Sequence, residues 1–419
     1  GLMTVYIYSA NFSKWRSNIK TIRKMQSDNI IISGLGISGL ITASLFCKEK
    51  LKVHCFEPSD FTKLSEDQRT TAFLNPAIKV FKDIGIWGNI KPFAQPLKEM
   101  EIIDAGEFKK IGNPTSVVFH PNEINLKSFG YNIPNKIVSS TLLDFLKGKE
   151  NIVLYNGDSL VDHYAFDQNI LVKSAKGKVL EGQLLISCEG RDSEIRKREK
   201  ISSFKTTYNQ LAMVFQVSHS ENHQDRTTEI LDAGGPFTII PLRSSSNQLQ
   251  STIVWMDSSE VINEAFNLRK PDFNALITKK SIGMRGQLKL ISDRQKWPVS
   301  SQITKALVSK RTVLIAESAH VMPPTGAQGL NTSVEDIIYL YKICKKALRS
   351  NKDIGADELL RRYSLIRFPL TGGKVFGIHL LNKISMTENI FLKTARKNFL
   401  KHLDKSPALK RTLIRVGLG

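Results

Sequence analysis

Acidic residues are scarce in this chain. Against 60 Lys and Arg stand 39 Asp and Glu, so the 419 residues carry a formal charge of +21. Cysteine is scarcer still. Cys47, Cys55, Cys188 and Cys344 lie far apart in apolar runs, without metal-ligand or disulfide spacing, which fits a reducing compartment and four buried, inert thiols. No stretch of about 18 or more uncharged apolar residues occurs, which excludes a membrane-spanning helix. Aromatic-interleaved RNA motifs, zinc-finger spacing and a recognition-helix pattern are missing, so the charge does not point to nucleic acid. An anionic membrane surface remains as its counterpart. Internal repeats and low-complexity tracts are absent. No Ser-His-Asp, Cys-His or metal constellation stands out, so a bound cofactor must carry any chemistry.

What is present is uneven. Over residues 341–419 there are 18 Lys/Arg against 5 Asp/Glu, a local excess of +13. Residues 1–25 form a basic N-terminal extension with Lys14, Arg16, Lys20, Arg23 and Lys24 and no acid. They lack the apolar core of a secretory signal. A strand-like run begins just after Met25, which reads as the natural first residue.

The length suits two domains. DNIIIS (28–33) is a short buried-strand pattern, ITASLFCKEK is helix-like, and LKVHCFE (51–57) is a second strand ending in an acid. Helical patterns recur at 75–87, 141–148 and 334–348. From about 205 to 300 the texture changes to long alternating runs such as QLAMVFQVSHS and STIVWMDSS, the pattern of a mainly antiparallel sheet. RTVLIAE then returns to parallel-strand character.

Between the first strand and helix stands GLGISGL, with Gly34, Gly36 and Gly39 as G-x-G-x-x-G. Glu57 ends the next strand, 23 residues after Gly34. That context is what a dinucleotide fingerprint requires. Gly34 permits the turn, Gly36 lets pyrophosphate approach the backbone, and Gly39 lets helix and sheet pack closely. The helix N-terminus offers free N–H groups to the phosphates, and Glu57 accepts from the ribose hydroxyls.

Two distant stretches complete the pattern. CEGRDSEIR (188–196) and AESAHVMPPTGAQGLNTSVED (316–336) resemble the second and third flavin motifs of the aromatic-ring flavoprotein monooxygenases. The segment around Arg69, QRTTAFLNPAIKVFKDIGIW, resembles the Arg-containing segment those enzymes carry after the first motif. YNQLAMVFQVSHSENHQDRTTEILDAGGPFTIIPL is similar to the ubiquinone-biosynthesis hydroxylase subfamily in its Tyr-x-Gln, Asn222-His223, Glu229 and Gly-Pro before Pro-Leu. The resemblance spans about residues 28–370.

This resemblance implies an α/β fold. A discontinuous FAD-binding Rossmann-type domain (p-hydroxybenzoate hydroxylase-like; 26–100, 130–205 and 305–360) would carry an inserted, mainly antiparallel β substrate domain (101–129 and 206–304). A basic helical segment (361–419) would follow. FAD is the implied cofactor, and NAD(P)H the implied electron donor, binding transiently or acting through a partner protein. Glu189 and Gly190 stand where the family has Asp-Gly, and Ala316-Glu317 where it has Gly-Asp. Glu317 would bond the ribityl chain, and Pro323 and Pro324 would stiffen the wall beside the isoalloxazine. Gly326 and Gly329 would bare the backbone beside the ring. Gln328, Gly329, Leu330 and Asn331 would lead into a helix whose N–H groups face the pyrimidine edge, where charge collects on reduction. Ser139 and Ser140 stand where many relatives carry a flavin-touching Arg or Gln. Arg191 and Arg196 read equally well as members of the second motif and as charges on an ordinary strand-to-helix surface, and His320 and His223 as structural histidines.

The implied activity is hydroxylation of the aromatic ring of a polyprenylated phenol in ubiquinone biosynthesis, through a C4a-hydroperoxyflavin. The enzyme would be cytoplasmic, attached to the inner membrane where it docks, with proteins of a quinone-biosynthesis complex as partners. Two rivals stay open: a related flavoprotein hydroxylase or reductase of another substrate class, and a non-catalytic flavin-fold subunit. For docking, NIFLKTARKNFLKHL (389–403) places Phe391, Ala395, Phe399 and Leu403 on one helical face, opposite Lys393, Lys397 and Lys401.

Overall fold

Three consecutive isoleucines, Ile30 to Ile32, have no exposed surface. A strand buried on both faces is the signature of a parallel sheet covered by helices. In the computed structural model, which describes residues 27–107, 115–244, 246–325, 327–386 and 389–417, strand Asn29–Ser33 lies inside a six-stranded sheet. It pairs in parallel with Leu184–Ser187 on one side and Lys52–Glu57 on the other. Thr312–Leu314 and Ile152–Asn156 extend the parallel sheet outward, and the edge strand Val308–Ser309 runs antiparallel. Helices Ile37–Phe46 and Gln328–Arg349 pack together beside it, with Phe46 and Tyr341 edge-to-face at 5.4 Å. The basic segment 1–25, with Met25, lies outside the described residues, as does Gly326.

The second sheet has nine strands. Its path runs His320–Val321, Gln295–Thr304, Ser203–His219, Leu249–Ser258, Gly235–Leu242, Arg226–Asp232, Glu99–Asp104 and Thr115–Phe119, with Leu288–Leu290 joining beside Ser203–His219. All pairs are antiparallel except Arg226–Asp232 with Glu99–Asp104. One face is covered by helices Ser259–Asn267 and Lys270–Lys280, which bury Ile262, Phe273 and Ile277 against Phe215 and Trp255. The alternation read at 205–300 does not reveal these two short helices. A three-stranded sheet, Thr70–Leu74, Gly130–Pro134 and Gln95–Leu97, stands between the two larger ones. The α/β class expected from the sequence is the class observed.

Three helices close the chain: Asp357–Met386, Ile390–Asp404 and Pro407–Gly417. The first buries Tyr363, Arg367, Thr371 and Asn382, and Asn382 Nδ2 donates to Gln210 Oε1 at 2.9 Å. The second is anchored by buried Arg396, which donates to both oxygens of Asp104 at 2.8 and 3.0 Å. This anchor corrects the face expected for 389–403. Phe391 and Phe399 are exposed, but Leu403 turns inward with Leu400 onto Val117 and Phe119. Among the described residues no helix is long and apolar enough to cross a membrane.

Candidate active site

The glycines of the first turn divide by cause. Gly34 has φ +94°, and a Cβ there would stand 2.3 Å from the Cys188 carbonyl oxygen. At Gly39 a Cβ would stand 1.9 Å from the Gly34 oxygen. Both are demanded by the chain itself. At Gly36 a Cβ would meet nothing within 4 Å, and no side chain caps the helix that starts there. Bare backbone, open space and uncapped N–H groups together make an anion site. Glu57 is buried beneath the turn, accepting from the Leu35 N–H at 2.8 Å and the Ser59 N–H at 2.9 Å. Each oxygen keeps a lone pair for a ligand. Burial pushes the neighbouring Cys188 thiol up to about 12, so it is inert at neutral pH.

Glu189 braces the second motif. Its Oε1 accepts from Ser33 Oγ at 2.7 Å, and its Oε2 accepts from Ser193 Oγ at 2.8 Å and the Ile195 N–H at 3.0 Å. The carboxylate thus ties the first strand's end to the N-terminus of helix Glu194–Arg198. Gly190 has φ +87° and faces open space. Arg191 donates to Glu317 Oε1 at 2.9 Å, joining the second and third motifs across half-exposed surface. Arg196 corrects the surface reading. It is buried, and its guanidinium donates to the carbonyls of Ser318 at 3.0 Å and Arg191 at 2.6 Å.

In the third motif, Ala316 adopts φ +59° where the family's pattern has glycine. A left-handed alanine costs about 1–2 kcal/mol, so the surrounding contacts must hold it there. Asn331 is a clamp. Its Oδ1 accepts from the Leu74 N–H at 2.9 Å, and its Nδ2 donates to the carbonyls of Ala72 at 2.9 Å and Ala327 at 2.7 Å. Gln328 Nε2 donates to the Gly417 carbonyl, bringing the last helix over this loop. Leu330 packs on the main core, and Gly329 faces open space. His320 is buried, with Nε2 3.0 Å from Asp336 Oδ2. His223 Nδ1 accepts from the Asp225 N–H at 3.1 Å.

Beyond that loop opens a cavity of about 220 Å³. Pro324 and Ala327 bound one side, the Thr70–Leu74 strand another, and the face of the nine-stranded sheet opposite helices Ser259–Asn267 and Lys270–Lys280 the third. Arg69 lines it, held by Asp67 through bonds of 2.9 and 2.8 Å, with its guanidinium 5.9 Å from the Trp297 ring. Across the sheet, Val214, Val254, Thr238 and Glu229 are paired in register, and all four line the cavity. No described residue hydrogen-bonds or ion-pairs with Glu229. Half-buried on the cavity wall, its carboxyl is pushed by desolvation up to about 7. Sequence reading assigned Glu229 no role. The available signal was the period-two spacing of Thr227 and Glu229 within RTTEILD, which places both on one face.

Gly36, Gly190 and Gly329 leave space where side chains would stand, and the uncapped helix start supplies N–H donors. These residues fit an extended dinucleotide carrying a flat ring system.

Comparisons with known proteins agree. The chain is 24% identical over 397 residues to the ubiquinone hydroxylase UbiM of Neisseria meningitidis, covering 93% of this chain and 84% of that protein. It is 22% identical over 395 residues to the ubiquinone hydroxylase UbiL of Rhodospirillum rubrum, covering 93% and 89%. The fold matches the crystal structure of p-nitrophenol 4-monooxygenase PnpA from Pseudomonas putida at a TM-score of 0.75 and 13% identity, over 94% of this chain and 98% of that one. The family model for the FAD binding domain matches residues 27–372, and the chain belongs to that family.

Proposed function

We infer that this protein is an FAD-dependent monooxygenase of ubiquinone biosynthesis, hydroxylating the ring of a polyprenylated phenol. One observation carries the reading to this chain's own geometry. The cavity is walled jointly by the third flavin motif, through Pro324 and Ala327, and by the large sheet. A ring held there would lie between the loop of Pro324 and Ala327, which would wall the flavin, and the sheet. About 150 Å³ already accommodates benzene, so about 220 Å³ suits one substituted ring and leaves a polyprenyl tail to exit through the mouth.

Bound FAD supplies the activation of oxygen. The chain's residues do the rest. Gly36 and the helix start behind it would seat the pyrophosphate on a turn that Gly34 and Gly39 make possible, with Glu57 at the ribose and Glu317 at the ribityl chain. Gly329 to Asn331 present the helix start to the pyrimidine edge. Leu74, Leu97, Met100, Phe129 and Ile240 keep the cavity apolar, so water does not compete for the activated oxygen. On this reading the parallel sheet serves FAD and the nine-stranded sheet serves the phenol. NAD(P)H supplies the electrons, binding transiently. Purified holoenzyme given NADPH, oxygen and a prenylphenol is expected to yield a product heavier by one oxygen atom in mass spectrometry. NADPH oxidation that releases only hydrogen peroxide, whatever phenol is offered, would refute the reading.

The same reading places the enzyme at an anionic membrane surface, where its substrate resides. Between residues 363 and 382 every exposed residue of helix Asp357–Met386 is apolar, and Leu365, Leu370, Phe376 and Leu381 are each more than half exposed. Exposed Arg361, Arg362 and Lys383 flank this stripe, and Ile390 and Phe391 of the next helix are among the most exposed apolar residues. An exposed apolar face between basic ends suits an interfacial helix, with anionic lipid contributing about 1 kcal/mol per basic residue near the surface. A second copy fits less well, because symmetric pairing would bring the basic ends together. Co-sedimentation is expected with anionic but not neutral vesicles, and a Phe376→Glu/Phe391→Glu variant should stay in the supernatant. Equal partitioning of wild type and variant would leave a quinone-biosynthesis protein, not lipid, to deliver the substrate.

A further inference from the structure

Most acids around the cavity have partners. Glu99 and Glu101 accept from Arg226 at 2.6 and 3.3 Å, and Asp67 holds Arg69. Arg285 donates to the Arg226 carbonyl at 2.7 Å and to Thr228 Oγ1 at 3.0 Å. The nearby cations are thus committed elsewhere, and Glu229 faces the cavity with none of them. Its in-register neighbours, Thr238 on one side and Ile102 on the other, bring no charge. A half-buried carboxyl with no hydrogen-bond partner among the described residues is partly desolvated without compensation, and a donor that enters the cavity would supply what it lacks. The row beside it, Val214, Val254 and Thr238, is the flat surface on which a ring would lie.

We propose that Glu229 is a catalytic residue whose carboxylate binds the ring hydroxyl of the phenol, a role that rests on the substrate reading above. The phenol O–H donates to a Glu229 oxygen. As the ring carbon forms its C–O bond to one of the two oxygen atoms derived from O2, the O–O bond breaks with its electron pair left on the second, the phenolic O–H bond breaks, and that proton passes to the carboxylate. The ring then loses the hydrogen of the attacked carbon as a proton, aromaticity returns, and Glu229 gives its proton back to the phenolic oxygen. Electrons from NAD(P)H reduce the second oxygen atom to water. Withdrawing the proton makes the ring electron-rich when it must attack, and this requires a base near the working pH. Burial alone brings Glu229 to about 7, with Glu99 and Arg69, the other charged groups on the wall, each held by a partner.

The test uses holoenzyme, a short-chain prenylphenol and its methyl ether, with binding read from flavin absorbance between pH 5.5 and 8.5, a span of roughly 1.5 units either side of the neutral working point. Wild type is expected to bind the phenol more tightly as pH rises through about 7, because the ionised carboxylate is the stronger acceptor. The methyl ether, lacking the donor, should show no such transition. Glu229→Gln should abolish the transition and weaken phenol binding roughly ten- to a hundredfold while leaving ether binding unchanged. Equal losses for phenol and ether, or a surviving transition in Glu229→Gln, would overturn the role of Glu229 alone. If wild type binds neither compound, the substrate reading falls with it.

A second readout needs no ligand. The folded Glu229 holds its proton to a higher pH than the unfolded one, so between their pKa values the native state binds more protons and stability falls as pH rises. Glu229→Gln should lose that slope.

Discussion

Gly36→Glu is expected to purify in wild-type yield but colourless, while Gly39→Val is expected not to fold. The two positions lie three residues apart and differ in what a side chain would strike. At Gly39 a Cβ meets the Gly34 oxygen at 1.9 Å and its carbonyl carbon at 2.9 Å. Both are backbone atoms of a turn pinned by the Gly34 N–H to the Phe56 carbonyl at 2.8 Å, so they cannot yield. Opening helix from sheet there removes burial around Leu40 and Ile41, at a cost comparable to the ~5–15 kcal/mol that stabilises a whole domain. At Gly36, φ is −61° and a Cβ meets nothing within 4 Å, so the apoprotein should tolerate glutamate. An acid in a helix's first turn is even favourable by about 0.3–1 kcal/mol. What it opposes is the pyrophosphate, by filling its space and repelling its charge. The check is FAD released on heating, together with circular dichroism of the same samples. Flavin retained by Gly36→Glu at the wild-type ratio would remove the first motif from cofactor binding.

Asp336→Ala should be the most destabilising single change away from the glycine turn, costing about 3–5 kcal/mol, the usual result of removing one member of a buried charge network. Asp336 Oδ2 is 3.0 Å from His320 Nε2, and its Oδ1 accepts from Arg367 Nε at 2.6 Å and Thr371 Oγ1 at 3.2 Å. His320, Asp336 and Arg367 are all buried. Alanine leaves the guanidinium with only the Glu335 carboxylate, 3.4 Å from Nη2. It also releases His320 from the helix that anchors the third motif, so flavin retention should fall together with stability. Denaturant midpoints for wild type, Asp336→Asn and Asp336→Ala check the cost. Asparagine should lose less, because it keeps one acceptor in place. An Asp336→Ala midpoint within error of wild type would show that the network contributes no stability.

Much of this architecture is legible along the chain because its causes are local. A buried parallel strand must be an unbroken apolar run, a turn that meets a neighbouring carbonyl must be glycine, and an alternating strand must have one face covered. DNIIIS, GLGISGL and the runs after residue 205 therefore carry their structures openly. Helices Ser259–Asn267 and Lys270–Lys280 are not legible in the same way, because each is only two to three turns long and its apolar residues were absorbed into the alternating pattern around them.

The roles of single side chains divide along the same line. Sequence alone grouped Gly34, Gly36, Gly39 and Glu57 in one strand–turn–helix–strand unit, since these elements follow each other directly. Only the tertiary structure decided that Arg196 is a buried brace, that Asp336 joins His320 to Arg367, and that Leu403 faces inward. The same holds for Glu229, which strand register sets beside Thr238 and Ile102 over a cavity. The partners in those contacts come from elements far apart in the chain, 122 residues in the case of Arg196 and Ser318. A side chain's burial and charge depend on what strand pairing and helix docking place against it, and no local pattern encodes that.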